Sequence, residues 1–189
     1  MIRRKKAGFS RCMAIPSRHS DQFRIVAGER TFFVTSSTWG KRNLLQSTRT
    51  AELFIQVLFA YREQGKYRIH EFVVMLDHFH VLITLGRDIS IERAVQLIKG
   101  GFAFRATRQL GFTAPVWQKG FSEVRVLEQE AFAGQAEYIR DNPVAAHLID
   151  RAEDYLYSSA GARFQLDAPP QRLKPRLSHT LIGTPEGVP

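Results

Sequence analysis

Cysteine is almost absent from this 189-residue chain, in which Cys12 is the only one. A single cysteine excludes a disulfide scaffold and a cysteine-based zinc site within one chain. Long apolar runs are also missing, because none reaches the roughly 18 residues that a membrane-spanning helix needs. The N-terminus is basic, but no apolar segment typical of a secretory signal follows it. We therefore expect a cytoplasmic protein.

Acidic residues are the scarcer charged type, with 18 Asp and Glu against 27 Lys and Arg, which gives a formal net charge of +9. Such an excess indicates a polyanionic partner, and nucleic acid is the commonest one. Charge alone leaves open a basic protein without such a partner. The apolar fraction of 44%, with 14 phenylalanines, predicts a folded core, and the length suits one domain with extensions.

Composition divides the chain into three parts. Residues 1–30 are rich in Arg, Lys and Ser and are predicted to form a basic N-terminal arm. Residues 31–160 are predicted to form one folded domain. Residues 161–189 are rich in Pro, Arg and Gly with little to bury, and are predicted to be a disordered basic tail.

The folded part alternates between strand and helix patterns. Strands are predicted at 31–38, 67–75, 78–85 and 121–127, and helices at about 48–64, 91–110 and 128–141. The first six elements match the ferredoxin-like split βαβ arrangement, an α/β (α+β) fold with a central antiparallel sheet, and a C-terminal helix follows. In that fold the first and third strands are central. Gly100 and Gly101 predict a break in the second helix or a close backbone approach.

Two histidines one residue apart, His78 and His80, lie at the start of the third strand. Because side chains alternate along a strand, both imidazoles point to the same face. Such a pair can bind a metal ion, although a histidine in an apolar strand is more often a core residue with a satisfied hydrogen bond. Asp77 alternates to the other face and is interpreted as a turn residue.

The third predicted helix carries Tyr138 and Asn142 on one face, four residues apart. Pro143 disfavours helical dihedrals at Asn142, so we expect Asn142 at the helix end with its amide turned inward. Two imidazoles and an amide oxygen leave open positions on Mg²⁺ or Mn²⁺ for water and phosphate. A tyrosine suits covalent strand transfer, since a phosphotyrosine link conserves the energy of the broken bond. Tyr138 as a packing residue and Asn142-Pro143 as a simple helix stop remain alternatives.

Together these residues resemble a known family. His78-Phe79-His80 resembles the HUH motif of single-tyrosine transposases, two histidines that flank a bulky hydrophobe. The segment Tyr138-Ile139-Arg140-Asp141-Asn142-Pro143-Val144 resembles the catalytic helix of the REP-associated tyrosine transposases in that superfamily. The resemblance runs from about Phe32 to Leu148 and includes Trp117-Gln118.

The resemblance implies a role for each matching residue. His78, His80 and Asn142 would be ligands of Mg²⁺ or Mn²⁺, and Tyr138 would attack single-stranded DNA to leave a 5′-phosphotyrosine and a free 3′-hydroxyl. Relatives cut beside hairpins of repetitive extragenic DNA. The segment 120–124 departs from the family, because it lacks the extra histidines that follow the Trp-Gln element in many members.

Further basic and aromatic residues are candidates for DNA binding. Phosphate contacts are predicted for Arg3, Arg4, Lys5, Lys6, Lys99, Arg105 and Arg108. For the first four, a solvated tail is the alternative. Trp117 is predicted to stack on unpaired bases, with a place in the core as the alternative. His70 and His147 are interpreted as structural or surface residues.

The sequence therefore predicts a metal-dependent single-stranded DNA endonuclease and strand transferase that cuts beside hairpins. A monomer is favoured over a homodimer, and association with the nucleoid is expected. The alternatives are a catalytically silent hairpin-binding protein of the same fold and a replication-initiator or relaxase-type nickase. A small-molecule metallohydrolase agrees less well with so basic a chain.

Overall fold

The computed structural model describes residues 29–171 and 173–174. The predicted basic arm, apart from its last two residues, and the end of the predicted tail lie outside the described residues. The predictions for Arg3, Arg4, Lys5 and Lys6 therefore lie outside them as well. No helix in the described ranges combines the length and the apolar character that crossing a bilayer requires.

The described chain forms a four-stranded antiparallel sheet and three α-helices. In chain order these are β1 (Thr31–Ser37), α1 (Thr48–Glu63), β2 (Tyr67–Val74), β3 (His78–Leu85), α2 (Ile91–Leu110), β4 (Ser122–Val126) and α3 (Gln129–Ala145). The strand order is β2-β3-β1-β4, and every neighbouring pair is antiparallel. The predicted α/β fold with β1 and β3 at the centre of the sheet is confirmed.

The boundaries of α1 and α2 follow from local chemistry. The hydroxyls of Ser47 and Ser90 accept hydrogen bonds from backbone N–H groups of the first turns, as serine N-caps do. Gly111 ends α2 in the left-handed conformation, with φ of 70°. Inside α2 the two glycines cause no break. Gly101 instead lies so close to Tyr61 that a Cβ there would be 2.9 Å from the ring, which is the predicted close approach.

The two faces of the sheet are covered by different helices. On β3, Phe79, Val81 and Ile83 point into the core that α1 and α2 cover. Leu82, which alternates to the other face, joins a smaller cluster with Ala136 and Ile139 of α3. Because His78 and His80 share the alternation of Leu82, both lie on the face that α3 crosses.

Residues 161–171, part of the predicted disordered tail, pack on the folded domain. The ring of Phe164 packs on Phe59 and Phe72 at centroid distances of 5.6 and 5.1 Å. Asp167 accepts a hydrogen bond of 2.8 Å from the backbone of Ile69 and one of 2.7 Å from Arg62. A few well-placed apolar and charged side chains thus hold this segment despite its composition, and the prediction was wrong for its described part.

Ile139 anchors α3 to the sheet, because it is fully buried in the smaller cluster. We expect Ile139→Ala to lower the free energy of unfolding by about 2–4 kcal/mol, since it removes buried surface and leaves a cavity. Urea denaturation would measure this change. Glu137→Ala is the matched control, because Glu137 is exposed on the same helix. Equal stability of the two variants would contradict the packing described here.

Candidate active site

His80 is buried, with 5% of its surface exposed, at the centre of the sheet. Its ring stacks on Phe33 at 5.3 Å, and its Nδ1 is 2.7 Å from the hydroxyl of Thr35, the residue opposite it on β1. Its Nε2 is buried and has no hydrogen-bond partner among the described residues. Burial, together with the nearby His78, lowers the pKa of His80 to about 3. The imidazole is therefore neutral, with one nitrogen able to bind a cation.

His78 lies beside His80 on the same face, as the alternation predicts. The two rings meet edge to face with centroids 4.9 Å apart. The Nδ1 of His78 is 2.5 Å from a carboxylate oxygen of Asp77. This contact leaves Nε2 as the nitrogen of the His78 ring that can bind a metal ion. Both histidines thus have Nδ1 engaged by the protein.

Tyr138 of α3 lies directly against this pair. Its ring meets His80 at 5.3 Å and Phe33 at 5.8 Å, both edge to face. Half of its surface stays exposed, so a substrate can reach it. The structure therefore places the predicted nucleophile in contact with a predicted metal ligand.

Asn142 lies one helical turn after Tyr138, on the same side of α3. The expectation that it would be at the helix end is wrong, because α3 continues to Ala145 with Pro143 inside it. The backbone carbonyl of Asn142 accepts a hydrogen bond of 3.0 Å from Ala146, so the last turn closes although proline lacks an N–H. Burial of the Pro143 ring accompanies this continuation. Asn142 is half-buried on a regular helix.

A metal ion bound at this site would need the side-chain amide of Asn142 as a third ligand. In the part of the chain that the structure describes, no three His, Cys, Asp or Glu side chains form a cluster able to hold an ion. The unpartnered Nε2 of His80 and a second imidazole are suitable nitrogen donors, and an amide oxygen is acceptable to Mg²⁺ or Mn²⁺. The donor types of His78, His80 and Asn142 therefore suit such an ion.

Trp117 is partly buried and packs against the core, which is close to the alternative interpretation. Its ring packs edge to face on Phe54, Phe79 and Phe102, and its indole N–H donates a 2.8 Å hydrogen bond to the carbonyl of Lys99. Phe79 points away from the histidines on its strand, so this ring lies on the opposite side of the sheet from the site. The predicted stacking on bases lacks structural support.

The basic residues of α2 are also on that opposite side. The ammonium of Lys99 donates to backbone carbonyls at 2.8 and 2.6 Å and holds the loop before β4. Arg105 donates to Gln56, and Arg108 lies over the ring of Phe104. Their phosphate contacts stay a prediction, on a surface separate from the histidine pair.

Three residues of the site were not predicted as such from the sequence, namely Thr35, Phe33 and Asp77. Thr35 and Phe33 alternate on β1 toward the histidine face, but only the register with β3 places them at His80. Asp77 was interpreted as a turn residue on the other face, whereas its side chain turns back to His78. Its position directly before the histidine was the one available signal.

A central strand with a histidine pair, lying under a helix that presents a tyrosine to it, defines a domain of the single-tyrosine HUH transposase class. The sequence matches the family described as "Transposase IS200 like" over residues 33–142. This match includes both histidines and Tyr138 and ends at Asn142. The chain belongs to the IS200-like transposase family, whose members in general cleave and rejoin DNA.

Two solved structures are similar to this chain, and the first of them has the same fold. The chain is similar to a REP-associated tyrosine transposase bound to a REP hairpin, with a TM-score of 0.62 and 21% identity over 77% of this chain and 82% of that one. It is also similar to a candidate transposase of Deinococcus radiodurans R1, with a TM-score of 0.46 and 18% identity over 60% and 90% of the chains. No curated protein matches the sequence significantly.

Proposed function

We propose that this protein cuts single-stranded DNA beside hairpins through a 5′-phosphotyrosine intermediate and transfers the cut strand. One observation carries the proposal: the buried His80 keeps its Nε2 unpartnered and lies in ring contact with the exposed Tyr138. An unsatisfied buried nitrogen is costly in a purely structural histidine. A site that binds a cation next to a nucleophile accounts for it.

In this proposal the metal ligands are His78, His80 and Asn142, and the ion is Mg²⁺ or Mn²⁺. Such an ion would polarise the scissile phosphodiester and neutralise charge that develops during attack. The neutral state of His80 is suited to this role, because a protonated imidazole cannot bind a cation.

Tyr138 is the proposed nucleophile. Its phenolic oxygen forms a bond to the phosphorus, and the bond from phosphorus to the 3′-oxygen breaks to leave a 3′-hydroxyl. The reverse attack by a 3′-hydroxyl then rejoins DNA, since the phosphotyrosine ester conserves the bond energy. Contacts with Phe33 and His80 hold the tyrosine ring at the site.

The proposed partners are DNA hairpins and single strands. The solved relative bound to a REP hairpin supports this substrate class. We infer further that the protein acts as a monomer on DNA in the cytoplasm, in association with the nucleoid.

The N-terminal arm supplies most of the positive charge. Residues 1–28 contain seven Lys and Arg against one Asp, or +6 of the total +9. This concentration supports the proposal that Arg3, Arg4, Lys5 and Lys6 contact phosphates, because such contacts give affinity without sequence choice.

Replacement of those four basic residues by alanine is expected to weaken hairpin binding and its salt dependence. If each contacts a phosphate, the slope of log affinity against log salt falls by about 3 to 4, at roughly 0.7 per contact with a single strand and 0.9 with the duplex stem of a hairpin. Fluorescence anisotropy across a salt series would measure the slope. Arg87→Gln serves as the comparison, because Arg87 is exposed and is not among the predicted phosphate contacts, and an unchanged slope in the four-alanine variant would exclude the arm from the interface.

The proposed function is tested with labelled single-stranded oligonucleotides from the repeats that flank the gene, in Mg²⁺ or Mn²⁺. A protein–DNA adduct that resists denaturant would support strand transfer through tyrosine. Tight hairpin binding without cleavage or adduct in either metal would instead support the catalytically silent hairpin-binding alternative.

A further inference from the structure

We propose that Thr35 and Asp77 are positioning residues that hold His80 and His78 in the tautomer with hydrogen on Nδ1. Each occupies the Nδ1 of one histidine, so that Nε2 of both rings keeps its lone pair for a cation. This inference rests on the proposed function, because it concerns how the same site is kept ready for its metal.

The Asp77 contact fixes the tautomer of His78 by chemistry. An ionised carboxylate only accepts hydrogen bonds, so the nitrogen 2.5 Å from it must carry the hydrogen. The backbone of Asp77 is held independently of the histidine, since the backbone N–H and the hydroxyl of Thr38 both donate to the carbonyl of Asp77, at 2.8 and 3.0 Å. The residue that follows β1 thus fixes the backbone that carries the acceptor.

The surroundings of Nε2 favour one tautomer of His80. The hydroxyl of Thr35 can donate or accept, so its 2.7 Å contact with Nδ1 allows either tautomer. In both tautomers Nε2 is buried without a partner in the described chain. A buried N–H without an acceptor is rarer than an acceptor without a donor, and only the tautomer with hydrogen on Nδ1 gives Nε2 a lone pair that a cation can use.

The hydroxyl of Thr35 and the carboxylate of Asp77 each suit the degree of burial of the histidine that they contact. His80 is 5% exposed, and a carboxylate beside it would itself be a buried charge, which is costly. A neutral hydroxyl provides orientation without that cost. The side chains of His78 and Asp77 are 26% and 24% exposed, so an ionised partner is tolerated there. A carboxylate hydrogen-bonded to Nδ1 also raises the basicity of the imidazole, which makes Nε2 a stronger ligand for a metal ion.

The tautomers can be measured without any metal, by nitrogen-15 NMR of the histidine rings at about pH 8, where histidine of ordinary pKa is neutral. We expect hydrogen on Nδ1 of both rings in the wild type. Thr35→Val should move the hydrogen of His80 to Nε2, Asp77→Ala should do the same for His78, and Thr35→Ser should keep the wild-type pattern. Hydrogen on Nε2 of His80 in the wild type would overturn the proposal.

Manganese affinity measured by calorimetry gives the second readout. Loss of an orienting partner typically weakens metal binding about 10- to 100-fold, and this range is expected for Thr35→Val and Asp77→Ala. Asp77→Asn should recover part of the loss, because its amide oxygen still accepts from Nδ1.

The same titration separates the two proposals. If His80→Leu abolishes binding while Thr35→Val and Asp77→Ala bind as tightly as the wild type, the positioning inference fails and the metal site stands. If the wild type and His80→Leu bind Mn²⁺ equally, the proposed metal site fails, and the positioning role fails with it.

Discussion

Tyr138→Phe is expected to abolish the covalent protein–DNA adduct, with a loss on the order of 10³-fold or more, as for other catalytic nucleophiles. The variant removes only the phenolic oxygen that forms the phosphotyrosine bond. The phenyl ring keeps the edge-to-face contacts with His80 and Phe33, so folding and hairpin binding should be retained. Denaturing electrophoresis of labelled oligonucleotides measures the adduct, and anisotropy measures binding.

Tyr157→Phe is the matched control for this variant. It also removes one phenolic hydroxyl, which is hydrogen-bonded to Thr48 at 2.8 Å and belongs to the side of the sheet covered by α1 and α2. It should form the adduct at the wild-type rate. An adduct of normal yield in Tyr138→Phe would show that another side chain is the nucleophile and would refute the proposed mechanism.

The sheet and the histidine pair were predictable because they depend on short-range periodicity. Alternation along β3 places His78 and His80 on one face whatever the partner strands are. The order of elements then makes β1 and β3 central. These two rules act within one strand or on the order of elements, so no knowledge of side-chain packing was needed.

What the sequence did not predict depends on tertiary packing. The rule that a proline ends a helix is local, whereas α3 continues through Pro143, which is buried in the folded chain. Thr35 becomes a partner of His80 only through the β1–β3 register, which a single strand does not reveal. Residues 161–171 contain few large apolar side chains, yet Phe164 and Asp167 each contact an element distant in sequence.

His80→Leu is expected to separate function from stability. Cleavage in Mg²⁺ or Mn²⁺ should fall on the order of 10²- to 10³-fold, since a bound ion supplies several kcal/mol of charge stabilisation. The free energy of unfolding should fall by no more than about 1–2 kcal/mol, because an apolar group of similar size removes a buried nitrogen without a partner, whereas the half-buried Thr35 hydroxyl loses its contact with Nδ1. Adduct yield and urea denaturation measure the two effects.

Adduct formation that survives His80→Leu would instead identify His80 as a structural histidine. If His80 only filled the core, His80→Leu would leave adduct formation intact. His147→Asn controls for loss of an imidazole elsewhere, because His147 is exposed with φ of 55°, a conformation that asparagine adopts readily. Binding sites often retain groups that lower stability. A variant that is as stable as the wild type but inactive would therefore show that the buried Nε2 of His80 is kept for function.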